Sequence, residues 1–589
     1  MKCISNRLVR SIPGVAVVSV LVIGCQKGPS PSPDNEKVPF SPPSPPTAFV
    51  RDIEKVNSLH AEISKQFKIE LVTAARRSDL SKLPLFLHSE FQGTFVGPQF
   101  LASTKTASIT VQRFESASMV LDAKSFTAEF TRLLDGLAAV QQSSFRIFEI
   151  LVAPDEKAAF IRAHWDIAGV DPLGQRNRWN ITCSARVERS NDGKWQVRKL
   201  AILSGERVTA ANVAFQDISQ QTGLELHESQ DNRKNAEKLV NLRQLTQSGG
   251  ISVFDYNDDG YWDVLASRKD RAVGLFVNDG RGGFTKANIK HFEDPSRAAR
   301  FYLSLDLDND GTTEIVSTRV SHLAKGMASL ELLTKSASGQ LTELKGRLKF
   351  KIPVGLRDLH FEGITACDIN QDNLLDLVVV GYSHWESLRK DFNLVDGRDG
   401  LQNLVFINQG KLSFTEESSL RGITGTQYSY VSECTDLDSD GDVDIFVGND
   451  YGRNQYFVND GRGYFKADPN HPFSKAHGFS MGLSRADYDN TGRYAVSISN
   501  MYSHAGHRIL PLVNELSEDM YAVVKSYARG NALYEFENGK FVDNAKKHGV
   551  ELAEWAWGNI FFDVDNDGDK DLYVVNGFTT HTDEEAPDW

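Results

Sequence analysis

Apolar and polar positions along the 589-residue chain change their period several times. The first apolar stretch, GVAVVSVLVIGC at 14–25, is an unbroken run behind Lys2, Arg7 and Arg10. It is too short to span a membrane and has the form of a secretory leader. Residues 26–48, QKGPSPSPDNEKVPFSPPSPPTA, have no period and read as an extended spacer. Across 49–80 the apolar positions take the spacing of an amphipathic helix. From about 144 the period shortens to that of strands: SFRIFEILVA, AAFIRAHWDIAG, NRWNITCSARVERS and KWQVRKLAILS. The turns between them (PDEK, DPLG and SNDG) predict an antiparallel meander.

From about 206 onward a short apolar strand, an acidic loop and a second apolar strand alternate along the chain. The loop reads DYNDDGYWD from 255, DLDNDGTTE from 306, DINQDNLLD from 368, DLDSDGDVD from 436 and DVDNDGDKD from 563. A degraded copy, DYDNTGRYA, starts at 487. Recurrence at the length of one blade predicts a β-propeller. Between the loops, LFVNDGRGGF, LVFINQGKLSF, YFVNDGRGYF and LYEFENGKF set Gly turns among aromatics, as in outer β-hairpins. The hairpins add up to six blades, with a seventh left open. NVAFQDISQQTGLE at 212 matches KFVDNAKKHGVE at 540, so this segment is expected to complete the last blade and remove a free strand edge. The chain thus divides into a leader (1–24), a tether (25–50), an α+β domain (51–205) and the propeller (206–589).

Carboxylates packed this closely repel one another unless a cation sits among them. Oxygen donors at loop positions 1, 3 and 5, a turn residue at 6 and a carboxylate at 9 make a cage of hard oxygens suited to Ca²⁺. The candidate ligands are Asp255, Asn257, Asp259 and Asp263; Asp306, Asp308, Asp310 and Glu314; Asp368, Asn370, Asp372 and Asp376; Asp436, Asp438, Asp440 and Asp444; and Asp563, Asp565, Asp567 and Asp571. An EF-hand would carry Glu at position 12 and continue into a helix. Here that position is Ala266, Ser317, Val379, Val447 or Val574, and a strand comes next, so the ninth residue has to close the cage. At 487 Thr491 and Ala495 replace two donors, and that loop is expected to be empty or weak.

Composition narrows the address. The net charge is −13, and loss of the leader removes only positive residues, which argues against nucleic acid as a partner. Five cysteines without metal-type spacing do not make a disulfide framework, and Cys367 and Cys434 read as buried strand thiols.

Several of these stretches carry family resemblances. VIGC resembles a bacterial lipobox, which implies lipidation of Cys25 and a membrane anchor, with Gln26 favouring the outer membrane. The helix-then-meander order of 51–205 resembles NTF2-like or SnoaL-like domains. The acidic loops resemble FG-GAP/VCBS repeats of integrin-type propellers. SMGLSRADYDNTGRYAVSISNMYSHAGHRI and EWAWGNIFFDVDNDGDKDLYVVNG resemble the bacterial propellers of the ASPIC/UnbV, or cartilage acidic protein-like, group. That resemblance spans about 210–589 and implies a Ca²⁺-stabilised propeller in an exported protein; the C-terminal domain usual in the group is not among these residues.

The expected fold is mainly β: a six- or seven-bladed Ca²⁺-binding β-propeller preceded by a small α+β, NTF2-like domain. The expected function is binding of a protein or glycan at the cell envelope, from a lipid anchor on Cys25. One alternative is a propeller enzyme of lyase, hydrolase or dehydrogenase type acting over the central channel; another is a structural spacer in an envelope complex. His504, His507 and Arg508 are the polar candidates for the channel, although Gly506 argues against the helix that would align the two histidines. Trp555 and Trp557 alternate along a strand and read as packing residues. No catalytic residue is assigned.

Overall fold

The amphipathic stretch folds as the helix Ile53–Phe67, which buries Val56, Leu59, Ile63 and Phe67. Asp52 caps it, its carboxylate accepting the Lys55 amide at 3.0 Å. The path continues through a π-helical turn, Lys68–Thr73, into Ala74–Arg77. This is a computed structural model that describes residues 2–10, 18–26 and 42–577, except 96–101, 106–108, 116–118, 212–215, 227–248, 269–272, 295–298, 324–325, 337–338, 354–355, 357–358, 385–395, 437–439, 514–515 and 538–539.

The four long strands, Ala139–Val152, Ala158–Val170, Arg176–Arg189 and Trp195–Ala210, pair as the expected antiparallel meander. Ile109–Glu115 and Ala102–Lys105 extend the sheet beyond Trp195–Ala210, and Leu87–Gly93 runs parallel to that strand. Helices Ile53–Phe67 and Ala123–Asp135 give it a core in which Phe67, Phe126, Phe130, Trp165 and Trp195 are fully buried. Alternation along the strands puts the apolar residues on the helix side.

The repeat folds as six successive sheets with antiparallel neighbours, a β-propeller-like arrangement. Their first strands are Ile251–Phe254, Tyr302–Leu305, His360–Cys367, Tyr428–Thr435, Gly482–Ala486 and Ala556–Phe562. These first strands pack side by side from the first sheet to the sixth, so they line the middle of the assembly. Apolar side chains fill the space between neighbours. Val378, Val380 and Ile407 of the third sheet meet Ile445, Val447 and Phe457 of the fourth. Each acidic loop joins a first strand to a second strand that starts at the loop's ninth residue: Asp263–Ser267, Glu314–His322, Asp376–Ser383, Asp444–Asp450 and Asp571–Asn576.

The sixth sheet departs from expectation. Its outer positions are taken by the N-terminal strands Val18–Gln26 and Lys2–Arg10, with Ile23 opposite Leu572 and Ser19 opposite Asn576. An unpaired edge at Asp571–Asn576 accepts any apolar strand within reach, and Val18–Gln26 is one. Residues 212–215 lie outside the described residues. The turn that comes after them keeps the phase of the repeat: a Cβ on Gly223 would meet the Phe284 carbonyl at 2.4 Å, as one on Gly422 would meet that of Phe465 at 2.1 Å. The turn ending at Gly223 thus rests on the outer strand of the first sheet as the turn ending at Gly422 rests on that of the fourth.

The two parts touch through an excursion of the fifth sheet. His504–Ile509 packs on Ala139–Val152, and Leu512 of the turn Leu510–Leu512 enters the N-terminal core. Arg146 and Glu554 form an ion pair across the junction. The expectation for this stretch is corrected: His504–Ile509 is helical, capped by Ser503 Oγ on the Gly506 amide at 2.9 Å. Gly506 is compatible with the helix and answers a packing need, since a Cβ there would lie 2.9 Å from that of Ala528.

Candidate metal centres

Among the described residues the six acidic loops, the 487 copy included, share one backbone. Position 4 is left-handed at Asp258, Asn309, Gln371, Asn490 and Asn566, and position 6 at Gly260, Gly311, Asn373, Gly441, Gly492 and Gly568. Asn and Asp tolerate that region better than other side chains, and Gly enters it freely. The turn aims two successive amides at the position-1 carboxylate. Asp255 accepts from Asp259 N at 3.1 Å and Gly260 N at 2.7 Å. Asp306, Asp368, Asp436 and Asp563 repeat the pair with their own positions 5 and 6. Asp487 does the same with Thr491 N at 2.9 Å and Gly492 N at 2.8 Å.

The ninth residue is buried in every full copy: Asp263, Glu314, Asp376, Asp444 and Asp571. It also has a role that spacing did not disclose. Asp263 accepts the Tyr256 amide at 2.8 Å and the Asn278 amide at 2.7 Å, tying the loop to the third strand of its own sheet. Asp376 does so with Ile369 N at 3.2 Å and Asn408 N at 2.8 Å, and Asp444 takes Asn459 N at 2.9 Å. The carboxylate that latches the loop is therefore the same one the spacing nominates to close a cation cage. Burial pushes Glu314 and Asp376 up to about 7 and Asp571 to about 6, and the neighbouring loop carboxylates add to the rise. A group held that high is short of positive charge, which a divalent cation would supply.

Among the described residues, two loops gather three carboxylates with ligand atoms all within 4.8 Å of one another: Asp306, Asp308 and Glu314, and Asp563, Asp565 and Asp571. Asp310 and Asp567 stand outside those groupings. In the 255 and 368 loops the position-3 amides, Asn257 and Asn370, donate to Asp259 at 2.8 Å and Asp372 at 2.9 Å. In the 436 loop Asp436, Asp440 and Asp444 are placed, whereas Asp438 lies outside the described residues. The donor set fits a hard cation such as Ca²⁺. At 487 the ninth position is Ala495, and a different network stabilises the sheet: Tyr488 and Asn544 donate to Glu535, and His548 Nε2 lies 2.9 Å from it. Burial raises Glu535, and these hydrogen bonds outweigh it and bring the group to about 2.

Two further expectations are corrected. Cys367 and Cys434 are not free thiols; they form a disulfide between the first strands of the third and fourth sheets, with Cα atoms 6.3 Å apart. Each sits at the foot of an acidic loop, and facing strands bring the two to the same height. His504, His507 and Arg508 do not reach the channel; Arg508 Nη1 instead donates to His60 Nε2 at 3.2 Å in the N-terminal part. Trp557 packs beside the tyrosine cluster of the third and fourth sheets and donates to the Gly577 carbonyl at 2.6 Å.

The chain carries FG-GAP-like repeats, matched at residues 255–317 and 436–494. No curated protein sequence matches it. Among solved structures it is similar to the NanB sialidase from Streptococcus pneumoniae, at 10% identity over 82% of this chain and 98% of that one, with a TM-score of 0.26. AofleA from Arthrobotrys oligospora matches at 11% identity over 65% and 85%, with a TM-score of 0.23. A type 2 hexachlorocyclohexane dehydrochlorinase (LinA) matches at 10% identity over 28% and 97%, with a TM-score of 0.20.

Proposed function

We propose that this chain is an exported, Cys25-anchored, calcium-stabilised propeller of six blades, joined to an NTF2-like domain, that binds a protein or glycan at the cell envelope. The observation that carries the reading is the recurrence of one amide-cradled acidic loop in all six sheets. Five of these loops add a buried ninth carboxylate. A cation in such a loop fixes the corner between first and second strands, and the rigid sheets then hold their opposite-end loops in place for a partner. Ligand that binds only the folded state stabilises it by about 2.7 kcal/mol at a hundredfold excess over Kd. The test is melting of the full chain with Ca²⁺ or a chelator, followed by glycan-array and membrane pull-down measurements with Ca²⁺ present. Identical melting in both buffers would sink the calcium reading, and an empty array together with an empty pull-down would sink the binding one.

One observation favours the enzyme alternative. Asp450 is buried, accepts the Tyr382 hydroxyl at 2.7 Å on Oδ2, and is pushed by burial up to about 7. A carboxyl group poised there suits general acid–base chemistry. Turnover of any array ligand, abolished in Asp450→Asn, would establish it.

A further inference from the structure

Asp450 closes the second strand of the fourth sheet, at the end remote from the acidic loop, and is buried. Its Oδ2 accepts the Tyr382 hydroxyl at 2.7 Å, and its Oδ1 is buried with no hydrogen-bond partner. Glu362, on the third sheet, is fully buried as well, and its charge adds to the effect of burial on Asp450. Among the described residues Arg300 forms an ion pair with Glu362, and no cation pairs with Asp450. Two buried carboxylates thus share one guanidinium, a costly arrangement unless a further positive charge is supplied. The next residue adds strain: Tyr451 is left-handed at φ 58°, a conformation that bulky side chains avoid and that gathers at ligand sites.

Aromatic rings surround this charge. Tyr382, Tyr428, Tyr430 and Met481 form one buried cluster, with Tyr451 and Trp557 packed against it. Tyr428 and Tyr430 stand edge-on to Tyr382, at 5.3 and 5.8 Å between centroids. Tyr430 and Met481 also line an open pocket of about 170 Å³. Through Tyr430, Tyr382 therefore connects the pocket wall to Asp450 behind it.

We propose that this wall binds a small organic cation, an alkylammonium group of about the bulk of trimethylammonium, with Asp450 as a positioning residue behind the rings. The inference goes beyond the reading above and does not depend on bound calcium. Charge sets the sign of the ligand, because the unpaired carboxylate lacks one positive partner. The rings set its class. A hard metal ion takes six or more oxygen ligands, whereas this wall offers aromatic faces and a thioether, which attract alkylammonium groups. Size agrees, since a space of about 150 Å³ takes one benzene ring, close to trimethylammonium in bulk. The open side leaves the rest of the ligand in solvent.

The test titrates the full chain with choline, with and without Ca²⁺, by calorimetry and saturation-transfer NMR. The control is the neutral isostere of choline, in which a tert-butyl group replaces trimethylammonium. The site predicts saturable choline binding in both buffers and binding of the isostere weaker by about tenfold or more. Asp450→Asn should erase that preference and leave the isostere's own binding in place, an outcome that a merely structural role would not produce. Tyr430→Leu removes a ring and keeps the carboxylate, and it should weaken choline by about tenfold, with melting recorded for both variants. Vesicles of phosphatidylcholine, set against phosphatidylglycerol, separate the sources: binding to the former assigns a lipid head group, and binding of choline alone assigns a free cation. No choline binding, equal binding of choline and its isostere, or a preference unchanged in folded Asp450→Asn would overturn the site. None of these results bears on the protein- or glycan-binding reading.

Discussion

Asn459, on the third strand of the fourth sheet, donates its side-chain amide to the Ile369 carbonyl at 2.9 Å, inside the acidic loop of the preceding sheet. The same amide reaches the Val443 carbonyl at 2.9 Å in its own loop. Asn408 repeats the pattern one sheet earlier, donating to Leu307 O at 2.7 Å and Leu375 O at 3.1 Å. The 306, 368 and 436 loops are therefore chained, the third and fourth sheets each holding the acidic loop before it.

Asn459→Ala should cost about 1–3 kcal/mol, because it strips buried carbonyls of their donor. It should also weaken the calcium response of the 368 loop, which it does not ligate. Denaturant midpoints with and without Ca²⁺ measure both effects. A variant indistinguishable from the parent protein in both would mean that the loops act independently.

Asp565→Ala should remove most of the calcium-dependent stabilisation of the sixth sheet, since Asp565 belongs to a tight carboxylate group. The increment at stake is about 2.7 kcal/mol at a hundredfold excess of Ca²⁺ over Kd. Asp489→Ala, in the loop that has Ala495 at its ninth position, should lose much less. Calcium-dependent melting of both variants decides the point, and equal losses would show that the ninth carboxylate does not separate a working cage from an empty one.

Locality decides how much of this fold the sequence discloses. Positions 1, 3, 5, 6 and 9 lie within one turn, so the loops and the second strands starting at Asp263, Glu314, Asp376, Asp444 and Asp571 are legible from spacing. Asn and Asp at position 4 are a local sign of its left-handed turn. Asn278, Asn408 and Asn459 read as hairpin residues because their partners lie in other strands and sheets. The Cys367–Cys434 pair depends on the register between sheets, which no local pattern encodes. The helix at His504–Ile509 is hidden because a close approach to Ala528, and not helix propensity, selects Gly506.

The junction between the two parts should weaken in acid. Burial, and then Arg508, bring His60 down to about 3, and burial lowers His507. His164, His504, Lys525, Arg146 and Glu554 are the other titratable or charged groups around them. A histidine depressed in the folded state takes up its proton on unfolding. Its contribution is therefore fully present above about pH 6.5 and falls by about 1.4 kcal/mol per pH unit below it. His60→Gln should flatten stability between pH 6.5 and 5, and a slope unchanged by that substitution would assign the acid sensitivity elsewhere.

The disulfide should contribute roughly 4 kcal/mol through the 67-residue separation it closes, in the chain-entropy account. Cys434→Ser should lower the denaturant midpoint accordingly, and a reductant should affect the parent protein and leave the variant unchanged. Non-reducing peptide mapping provides the direct check. A mapped digest with Cys367 and Cys434 separately alkylated before reduction would remove the cross-link.

The leader has two incompatible fates. As a strand, Val18–Gln26 covers the edge of Asp571–Asn576; as an export signal, it is cut ahead of Cys25 and that edge is released. Lipidation of Cys25, as proposed, would favour the second fate, since each buried CH₂ would hold the chain to a membrane by about 0.8 kcal/mol and two or three acyl chains would suffice. The freed edge would then be open to the segment before Gly223, already seated against the outer strand of the first sheet. Intact mass of the membrane fraction should give a chain starting at lipidated Cys25, and Cys25→Ser should release the protein or leave it unprocessed. A mature chain that keeps Met1 would make the leader a permanent part of the sixth sheet and end the lipoprotein reading.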